Sequence, residues 1–280
     1  MPLSAVITAA APNQRHLLHQ TIASPGGRLS TIAHRSVDLL LPDGREPLVD
    51  RLAIVIPPGD KALFEELASK KVTLIEQTGP RGYLQALYAA RDFIGQDPCL
   101  HLVGDHFYLA NEGHASSLAA ELIATYHRES STIVAVQPTH ESQLQYFGAI
   151  GGVPWPNSAG QRLYQVQSVI EKPTPTEAEQ KLIVSGLRSG HYLCFFGMHL
   201  FSPSLMQLLD EAFATQQPPP SLSAALHTLA QRERVLATIL PGVRYDLGAK
   251  YGVLQAQLAL GLKGPDRESI LTMILELLAR

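Results

Sequence analysis

The sequence predicts an α/β fold in which helices flank a mixed, mostly parallel sheet, and three observations support this. Short apolar, β-branched runs recur along the chain between turn residues, which is typical of strands buried on both faces. The segments between them carry apolar residues at helical spacing. The two kinds of segment alternate over the first hundred residues or so, and this alternation favours parallel strands joined by right-handed crossovers.

One unit of this pattern is clearer than the others. The apolar runs Val72–Glu76 and Cys99–Val103 have the length of buried strands. In an open α/β sheet, ligands bind beyond the carboxyl ends of the strands, so the turn after Glu76 and the acid Asp105 are expected to face one crevice. A lone acid there suits a metal or phosphate site. The helix between the strands is predicted from one apolar face, formed by Tyr83, Ala86, Leu87, Ala90 and Ile94.

The remaining elements follow the same pattern. Strands are predicted at Leu3–Ala9, Leu52–Ile56, Thr132–Val136 and Tyr192–Leu200. Helices are predicted at Thr31–Leu41, at Lys61–Leu67 with Asp60 as the N-cap, at Ala115–Tyr126 and from Pro203 onward. We expect one main domain over residues 1–262 and a C-terminal helix within 263–280.

The last helix has an apolar stripe that needs a partner surface. Such stripes usually dock on the protein's own core, but a homo-oligomer contact is the alternative. The stripe consists of Ile270, Met273, Ile274, Leu277 and Leu278.

Composition limits the classes of function. A net charge of −3 with 17% charged residues gives no basic excess for gripping a nucleic-acid backbone, so no nucleic-acid partner is expected. Cys99 and Cys194 lie in apolar runs without metal-type spacing, and we interpret them as buried free thiols. No apolar run approaches the length of a membrane span, about 18 residues. The expected location is cytoplasmic, with no membrane partner.

Several motifs in order resemble those of the sugar-1-phosphate nucleotidyltransferases, and the bacterial UDP-glucose pyrophosphorylase type most closely. QTGPRGYLQA followed by VGDHF matches the family centre at Gln77, Pro80, Gly82, Ala86, Gly104 and Asp105. QYFGAI, VIEKPTP and GVRYDLGAKYGVLQA resemble three later family segments and contribute Gly148, Glu171, Lys172 and Asp246. Taken alone, the Glu171–Lys172 pair could be a solvated charge pair, and Asp246 could belong to a plain turn.

The resemblance implies a fold, a reaction and roles for individual residues. The implied fold is the Rossmann-like, glycosyltransferase-A-type nucleotidyltransferase fold. The implied reaction joins an NTP, UTP by resemblance, to a sugar-1-phosphate such as glucose-1-phosphate and releases pyrophosphate. Asp105 and Asp246 would hold Mg²⁺, and Arg15 would meet the leaving pyrophosphate. The nucleotide would contact Ala9, Ala10, Gln77 and Gly82, and the sugar phosphate would contact Gly148, Glu171 and Lys172.

The chain also departs from the family pattern, most of all in the first loop. Family glycines are replaced there, and two lysines expected further on are missing; the residues concerned are Ala11, Pro12, Asn13, Gln14, Thr21 and Pro25. In the central motif, Leu84 replaces a glycine and His106 an acid. Two other functions therefore stay open: a catalytically impaired homologue that binds nucleotide-sugars or serves a structural role, and an enzyme for another phosphorylated cyclitol or nucleotide.

Overall fold

The computed structural model describes residues 3–11, 14–24, 28–78, 82–156, 160–215 and 221–279, with residues 14 and 15 described for their backbone alone. The strands are β1 (Ser4–Thr8), β2 (Thr21–Ala23), β3 (Leu29–Thr31), β4 (Arg51–Ile56), β5 (Val72–Glu76), β6 (Cys99–Val103), β7 (His106–Ala110), β8 (Thr132–His140), β9 (Gly148–Trp155), β10 (Leu163–Glu171), β11 (His191–Phe201), β12 (Val235–Ile239) and β13 (Gly242–Asp246). The helices are α1 (Gln14–Leu18), α2 (Ile32–Leu40), α3 (Lys61–Phe64), α4 (Tyr83–Ala89), α5 (Arg91–Ile94), α6 (Ser116–Glu129), α7 (Pro175–Lys181), α8 (Pro203–Ala214), α9 (Leu222–Arg232), α10 (Gly252–Lys263) and α11 (Arg267–Leu278).

Within the described residues, the central sheet has nine strands in the order β5-β4-β1-β6-β11-β8-β12-β10-β9. The first four strands of this order pair in parallel, as the alternation of strands and helices predicts. β11 is antiparallel to β6 and β8, and β10 is antiparallel to β12 and β9. These two strands run against all the others, so the prediction of a mixed, mostly parallel sheet is confirmed.

Helices cover both faces of the sheet, and β1 shows why. Val6 and Ile7 are both fully or nearly fully buried, yet they belong to different apolar clusters because successive side chains of a strand point to opposite faces. Ile7 packs in the cluster of Ile54, and Val6 packs in the cluster of Val55. An apolar run without polar alternation is therefore what this position in the sheet requires.

A two-stranded ribbon rises from the end of β6 and shapes the cavity described below. Gly104 ends β6 in close contact with β1, where a Cβ atom at this position would lie 2.6 Å from the carbonyl oxygen of Thr8. The chain then turns into β7, which pairs with β13 and places His106 opposite Asp246. The peptide N–H of Leu247 donates to the carbonyl oxygen of Asp105 at 2.9 Å, which closes the end of the ribbon.

Two local predictions need correction, and several elements were not predicted. The helix predicted across positions 83–94 is interrupted at Ala90, where ψ is 8°, and forms α4 and α5. The helix predicted over Lys61–Leu67 ends at Phe64 and continues as a 3₁₀ turn, and no side-chain hydrogen bond of Asp60 caps it. The elements that were not predicted include β2, β3, β7, β12, α1, α7 and α9, although α7 has a capping box between Thr174 and Glu177.

The C-terminal helix packs on α10 at a small-residue contact. A side chain at Gly261 would overlap Ile270, so the two helices approach closely at this point. None of the residues of α11 is buried, and Met273, Leu275, Leu277 and Leu278 are all more than half exposed. Among the described residues, none of the helices has both the length and the apolar character needed to cross a bilayer.

Candidate active site

A cavity of about 700 Å³ opens where β6, β10 and β13 end and β9 begins. It collects predicted site residues that are far apart in the sequence. Its lining includes Gly82, Tyr83, Leu84, Asp105, His106, Phe147, Gly148, Glu171, Lys172, Phe195, Gly197, His199, Ser223 and Asp246. Of the predicted site residues, Asp105, Asp246, Gly148, Glu171, Lys172 and Gly82 line this one cavity.

The two predicted metal ligands lie at the paired ends of the ribbon. Asp246 faces His106 in the register, and His106 directly follows Asp105. Oδ1 of Asp246 accepts the peptide N–H of Gly248 at 2.9 Å, which fixes its carboxylate in an Asx-type turn. Any side chain at Gly252 would overlap the carbonyl oxygen of Asp246, so the helix that follows can begin here only with glycine.

His106 orients Asp105. Its Nδ1 lies 2.9 Å from Oδ1 of Asp105, and its side chain is only 12% exposed. With the proton on Nδ1, the imidazole donates to the carboxylate and holds it in place. At the position of the family's second acid, this chain therefore has an imidazole in contact with Asp105.

These side chains suit a hard divalent cation. The searched residues contain no group of three or more His, Cys, Asp or Glu side chains that could hold a metal. Two carboxylates in one cavity are nevertheless a fitting donor set for Mg²⁺, which takes one or two protein carboxylates and completes its shell with phosphate and water oxygens.

The Glu171–Lys172 pair has specific local partners. Oγ of Ser223, in the first turn of α9, donates to Oε2 of Glu171 at 2.5 Å. Lys172 has φ of 47°, which is in the left-handed region, and its N–H donates to the carbonyl oxygen of Phe147 at 3.2 Å. Non-glycine residues held in this region cluster at functional sites. Sequence reasoning missed both Ser223 and the helix α9 that carries it; the N-cap serine Ser221 is the local signal that could have placed the start of this helix.

Gly148 lies where no side chain fits. A Cβ atom there would be 2.5 Å from Oγ of Ser223 and 2.8 Å from the ring of Phe195. The glycine therefore lets β9 approach both the Glu171–Ser223 hydrogen bond and the aromatic floor. This is a packing reason for the glycine, which holds whether or not a ligand also approaches it.

The predicted nucleotide-binding residues are arranged less compactly. Gln77 is buried, and its Nε2 donates to the carbonyl oxygen of Gly82 at 3.3 Å, so it fixes the start of α4. Ala9 and Ala10 are buried at the end of β1, where Ala9 N–H donates to Val55. These three residues are not among those that line the cavity. The side chain of Arg15 lies outside the described residues, as do Pro12 and Asn13.

His199 lies at the floor of the cavity, and the imidazole of His101 packs behind it without lining the cavity. The rings of His101 and His199 are near-parallel, with centroids 5.7 Å apart and an interplanar angle of 8°. His101 Nε2 lies 3.1 Å from the hydroxyl of Thr8, and the hydroxyl of Tyr83 lies 3.3 Å from Nδ1 of His101. Burial lowers the pKa of both imidazoles, that of His199 to about 3. Sequence reasoning did not single out either histidine, although His101 interrupts an apolar strand.

A buried arginine supports one wall of the cavity. The guanidinium of Arg244 lies 3.7 Å from the ring centroid of Phe147, which lines the cavity. Burial lowers the pKa of Arg244, and its Nε and Nη2 have no hydrogen-bond partner among the described residues. The cation is therefore held mainly by the aromatic ring.

The fold and the cavity define a class, the α/β proteins whose ligand cavity lies at the ends of the sheet strands. Within that class the chain belongs to the nucleotidyl transferase family, since the family model described as "Nucleotidyl transferase" matches residues 46–261. The predicted membership is thereby confirmed. The altered first loop precedes the matched residues.

Known proteins agree with this assignment. The chain is 27% identical over 205 residues to the UTP--glucose-1-phosphate uridylyltransferase of Streptococcus pneumoniae serotype 4, an alignment that covers 73% of this chain and 64% of that relative. It is 26% identical over 216 residues to UTP--glucose-1-phosphate uridylyltransferase 1 of Streptococcus pyogenes serotype M3, covering 77% and 66% respectively. The chain thus spans slightly less than two thirds of the length of these relatives.

Solved structures show the same fold. A UDP-glucose pyrophosphorylase complexed with UDP-glucose superposes with a TM-score of 0.73 at 19% identity, over 94% of this chain and 100% of that one. A UTP-bound enzyme of the same type from Acinetobacter baumannii gives 0.70 at 20% identity, over 99% and 100%. The expected nucleotidyltransferase fold is confirmed.

Proposed function

We propose that the protein is a nucleotidyltransferase that joins an NTP, UTP by preference, to a sugar-1-phosphate of the glucose-1-phosphate type. An oxygen of the sugar phosphate attacks the α-phosphorus, the bond from that phosphorus to the bridging oxygen of the β-phosphate breaks, and pyrophosphate leaves. One observation carries the proposal: the acids Asp105 and Asp246 and the pair Glu171–Lys172 line a single cavity. The relatives named as uridylyltransferases support it.

The chain's own residues act by binding and positioning, because this chemistry needs no protein nucleophile. Lys172 places a cation beside the sugar phosphate, and Glu171, held by Ser223, accepts a hydrogen bond from a sugar hydroxyl. Gly148 gives the substrate room on the same side. Such placement of charge and acceptor lowers the entropy lost on the way to the transition state.

We assign the nucleotide to a different set of residues from those that would hold the sugar phosphate. Gln77 and Gly82 would frame the base, the backbone at Ala9 and Ala10 would face the phosphates, and Arg15 would meet the pyrophosphate. Asp105 and Asp246 would hold Mg²⁺, whose charge neutralises the phosphate oxygens when it is bound. The hydrogen bonds from His106 and Gly248 keep the two carboxylates oriented toward that role.

A pyrophosphate-release assay tests the proposal. The protein is incubated with Mg²⁺, each of four NTPs in turn and a panel of sugar-1-phosphates, and UTP with glucose-1-phosphate is expected to react fastest. Asp105→Asn should lower turnover about a hundredfold or more, as loss of transition-state charge stabilisation does. Asp92→Asn is the matched control, because the side chain of Asp92 is 88% exposed, pairs with Arg91 and does not line the cavity. Equal turnover in both variants would contradict the proposal.

A second candidate function is nucleotide-sugar binding without turnover. The observation that favours it is the first loop, where Ala11, Pro12 and Asn13 replace the residues expected to wrap a triphosphate. Tight binding of UDP-glucose with no pyrophosphate released from any NTP would support this candidate over the first.

We also propose that the exposed apolar side of α11 joins copies of the chain and that the protein acts in the cytoplasm. The free, buried thiols of Cys99 and Cys194 suit a reducing compartment. Sedimentation of the wild type and of a variant with Leu277→Glu and Leu278→Glu tests the contact. A monomeric wild type would contradict it.

A further inference from the structure

The floor of the cavity contains a buried imidazole that the proposed reaction does not use. His199 on β11 lines the cavity, and the residue is only 1% exposed. Its Nδ1 is buried without a hydrogen-bond partner among the described residues. Buried side-chain nitrogens and oxygens are nearly always hydrogen-bonded, so an unpaired nitrogen in a ligand cavity indicates a partner that arrives with the ligand.

The surroundings of His199 fix the ring but leave its Nδ1 without a hydrogen-bond partner among the described residues. Phe201 packs near-parallel to it at 5.3 Å, and Phe195 meets it edge-on at the same centroid distance. The neighbouring imidazole of His101 is already engaged by Thr8 and Tyr83. The ring is thus preorganised, so a ligand that bonds to it does not first have to immobilise the side chain.

The strand geometry explains how this side chain reaches the cavity. The pairing of β11 with β8 shifts register between Phe195 and His199. Gly197, inside this irregularity, has φ of 89°, and its carbonyl oxygen accepts the hydroxyl of Tyr108 at 2.7 Å. Bulges re-aim side chains next to ligand sites. Here the irregularity lies between Phe195 and His199, which both line the cavity.

The charge state of His199 limits the kind of ligand group that it can bind. Burial lowers the pKa of His199 to about 3, so its imidazole is neutral at physiological pH and offers one donor and one acceptor. A phosphate gains little from such a group and has the cation of Lys172 in the same cavity. A hydroxyl, which both donates and accepts, is the matching partner.

The residues around His199 indicate that this hydroxyl belongs to the sugar. Phe195, in edge contact with His199, also packs on the position of Gly148, where a Cβ atom would be 2.8 Å from its ring. Gly148 in turn adjoins Ser223, the partner of Glu171. The ring contacts therefore lead from His199 to the side of the cavity assigned to the sugar.

We propose that His199 hydrogen-bonds a hydroxyl of the bound sugar and is a specificity-determining residue of this site. The inference rests on the proposed function for the identity of the ligand as a sugar phosphate or nucleotide-sugar. A site built to bond a hydroxyl discriminates strongly against an analogue that lacks it, because its buried polar group is then left unpaired.

The test compares binding profiles by calorimetry. UDP-glucose and the set of its monodeoxy analogues are titrated into the wild type, His199→Phe, His199→Asn and His199→Gln. In the wild type, one deoxy analogue is expected to bind about 10- to 100-fold more weakly than the parent. In His199→Phe the parent should weaken by that factor while this analogue does not, so the discrimination disappears. Asn or Gln, which keep a polar group near Nδ1 or Nε2, should restore part of it.

A matched control separates specificity from packing. His101→Phe makes the same ring replacement one strand away, in a residue that does not line the cavity. Thermal melts are expected to show a loss of stability in both Phe variants, but only His199→Phe should change the profile. Unchanged discrimination in His199→Phe, or the same change in His101→Phe, would overturn the inference.

The outcomes also separate this inference from the proposed function. If the wild type binds UDP-glucose but releases no pyrophosphate from any NTP, the transferase proposal fails and the binding profile still decides the role of His199. If the wild type binds none of these ligands, both fail. Where turnover is seen, KM for UTP should be unchanged in His199→Phe, whereas KM for glucose-1-phosphate rises.

Discussion

Replacing Gly148 with alanine tests how closely the walls of the cavity fit together. The added Cβ would lie 2.5 Å from Oγ of Ser223 and 2.8 Å from the ring of Phe195, both far inside ordinary contact distance. Ser223 and Phe195 belong to different elements, so one small movement cannot relieve both contacts. Overpacking of this kind costs about 1 to 3 kcal/mol. We expect the free energy of unfolding in urea to fall by that amount.

The same change should also act on function. Ser223 donates to Glu171 at 2.5 Å, and displacing its hydroxyl removes that contact from the proposed sugar site. KM for the sugar phosphate is therefore expected to rise about tenfold, with KM for the NTP unchanged, since one hydrogen bond to a charged group is worth about that factor.

A double variant tests whether the contact with Ser223 causes the loss of stability. Ser223→Ala in the Gly148→Ala background removes the oxygen at 2.5 Å but leaves Phe195 in place, so part of the lost stability should return. Contacting residues couple in this way, and distant ones do not. Additive effects on stability, or equal rises in both KM values, would refute the packing argument. Gly113→Ala is the control for the KM values, which should both stay unchanged because a Cβ there meets nothing within 4 Å; its φ of 69° lowers the stability of that variant through backbone strain alone.

The other predictions concern the backbone strain at Lys172, the packing of Gly252 against Asp246 and the pH dependence of stability. Lys172→Gly should keep the free energy of unfolding within about 1 kcal/mol, because the left-handed strain is relieved, yet abolish pyrophosphate release. Ser130→Gly, which relieves strain at a similar φ of 50°, should keep activity. Loss of activity in both variants would refute the role of Lys172. Gly252→Ala should weaken Mn²⁺ binding by moving Asp246, and unchanged affinity would contradict its placement. Burial lowers the pKa of His199 in the folded protein to about 3, against about 6.5 in the unfolded chain, so between these pH values the unfolded chain binds more protons. The free energy of unfolding therefore decreases as pH falls below about 6.5, by up to about 1.4 kcal/mol per pH unit from this group. Urea midpoints from pH 7.5 to pH 5 should fall less in His199→Phe, and parallel curves would refute this.

Much of the fold was predictable because the strands are short apolar runs between turn residues. β5 and β6 begin and end at the predicted residues, although only β6 is buried along most of its length, and β5 lies half-exposed at the edge of the sheet. β7 was missed because it pairs outside the central sheet, and its partner β13 is over a hundred residues away. No local pattern specifies such a pairing.

Of the site residues, too, some were predictable from the sequence and others were not. Asp105, Glu171 and Lys172 were predicted through motifs whose chemistry fits phosphate and sugar, and they line one cavity together with Asp246. Ser223 and His199 were missed because their importance depends on what lies beside them after folding: a carboxylate for Ser223, and aromatic rings without a hydrogen-bond partner for His199. One serine or one histidine in the sequence carries no such information.

The most direct test of the central claim measures Mn²⁺ binding in the presence of UTP, with Mn²⁺ as a spectroscopic substitute for Mg²⁺. Because Asp105 and Asp246 lie at paired ends of one ribbon, we expect a single ion whose affinity falls at least about tenfold in Asp105→Asn and in Asp246→Asn alike. The double variant should lose little more than either single one. Independent losses that add, or an affinity that one of the two substitutions leaves unchanged, would contradict a shared ion.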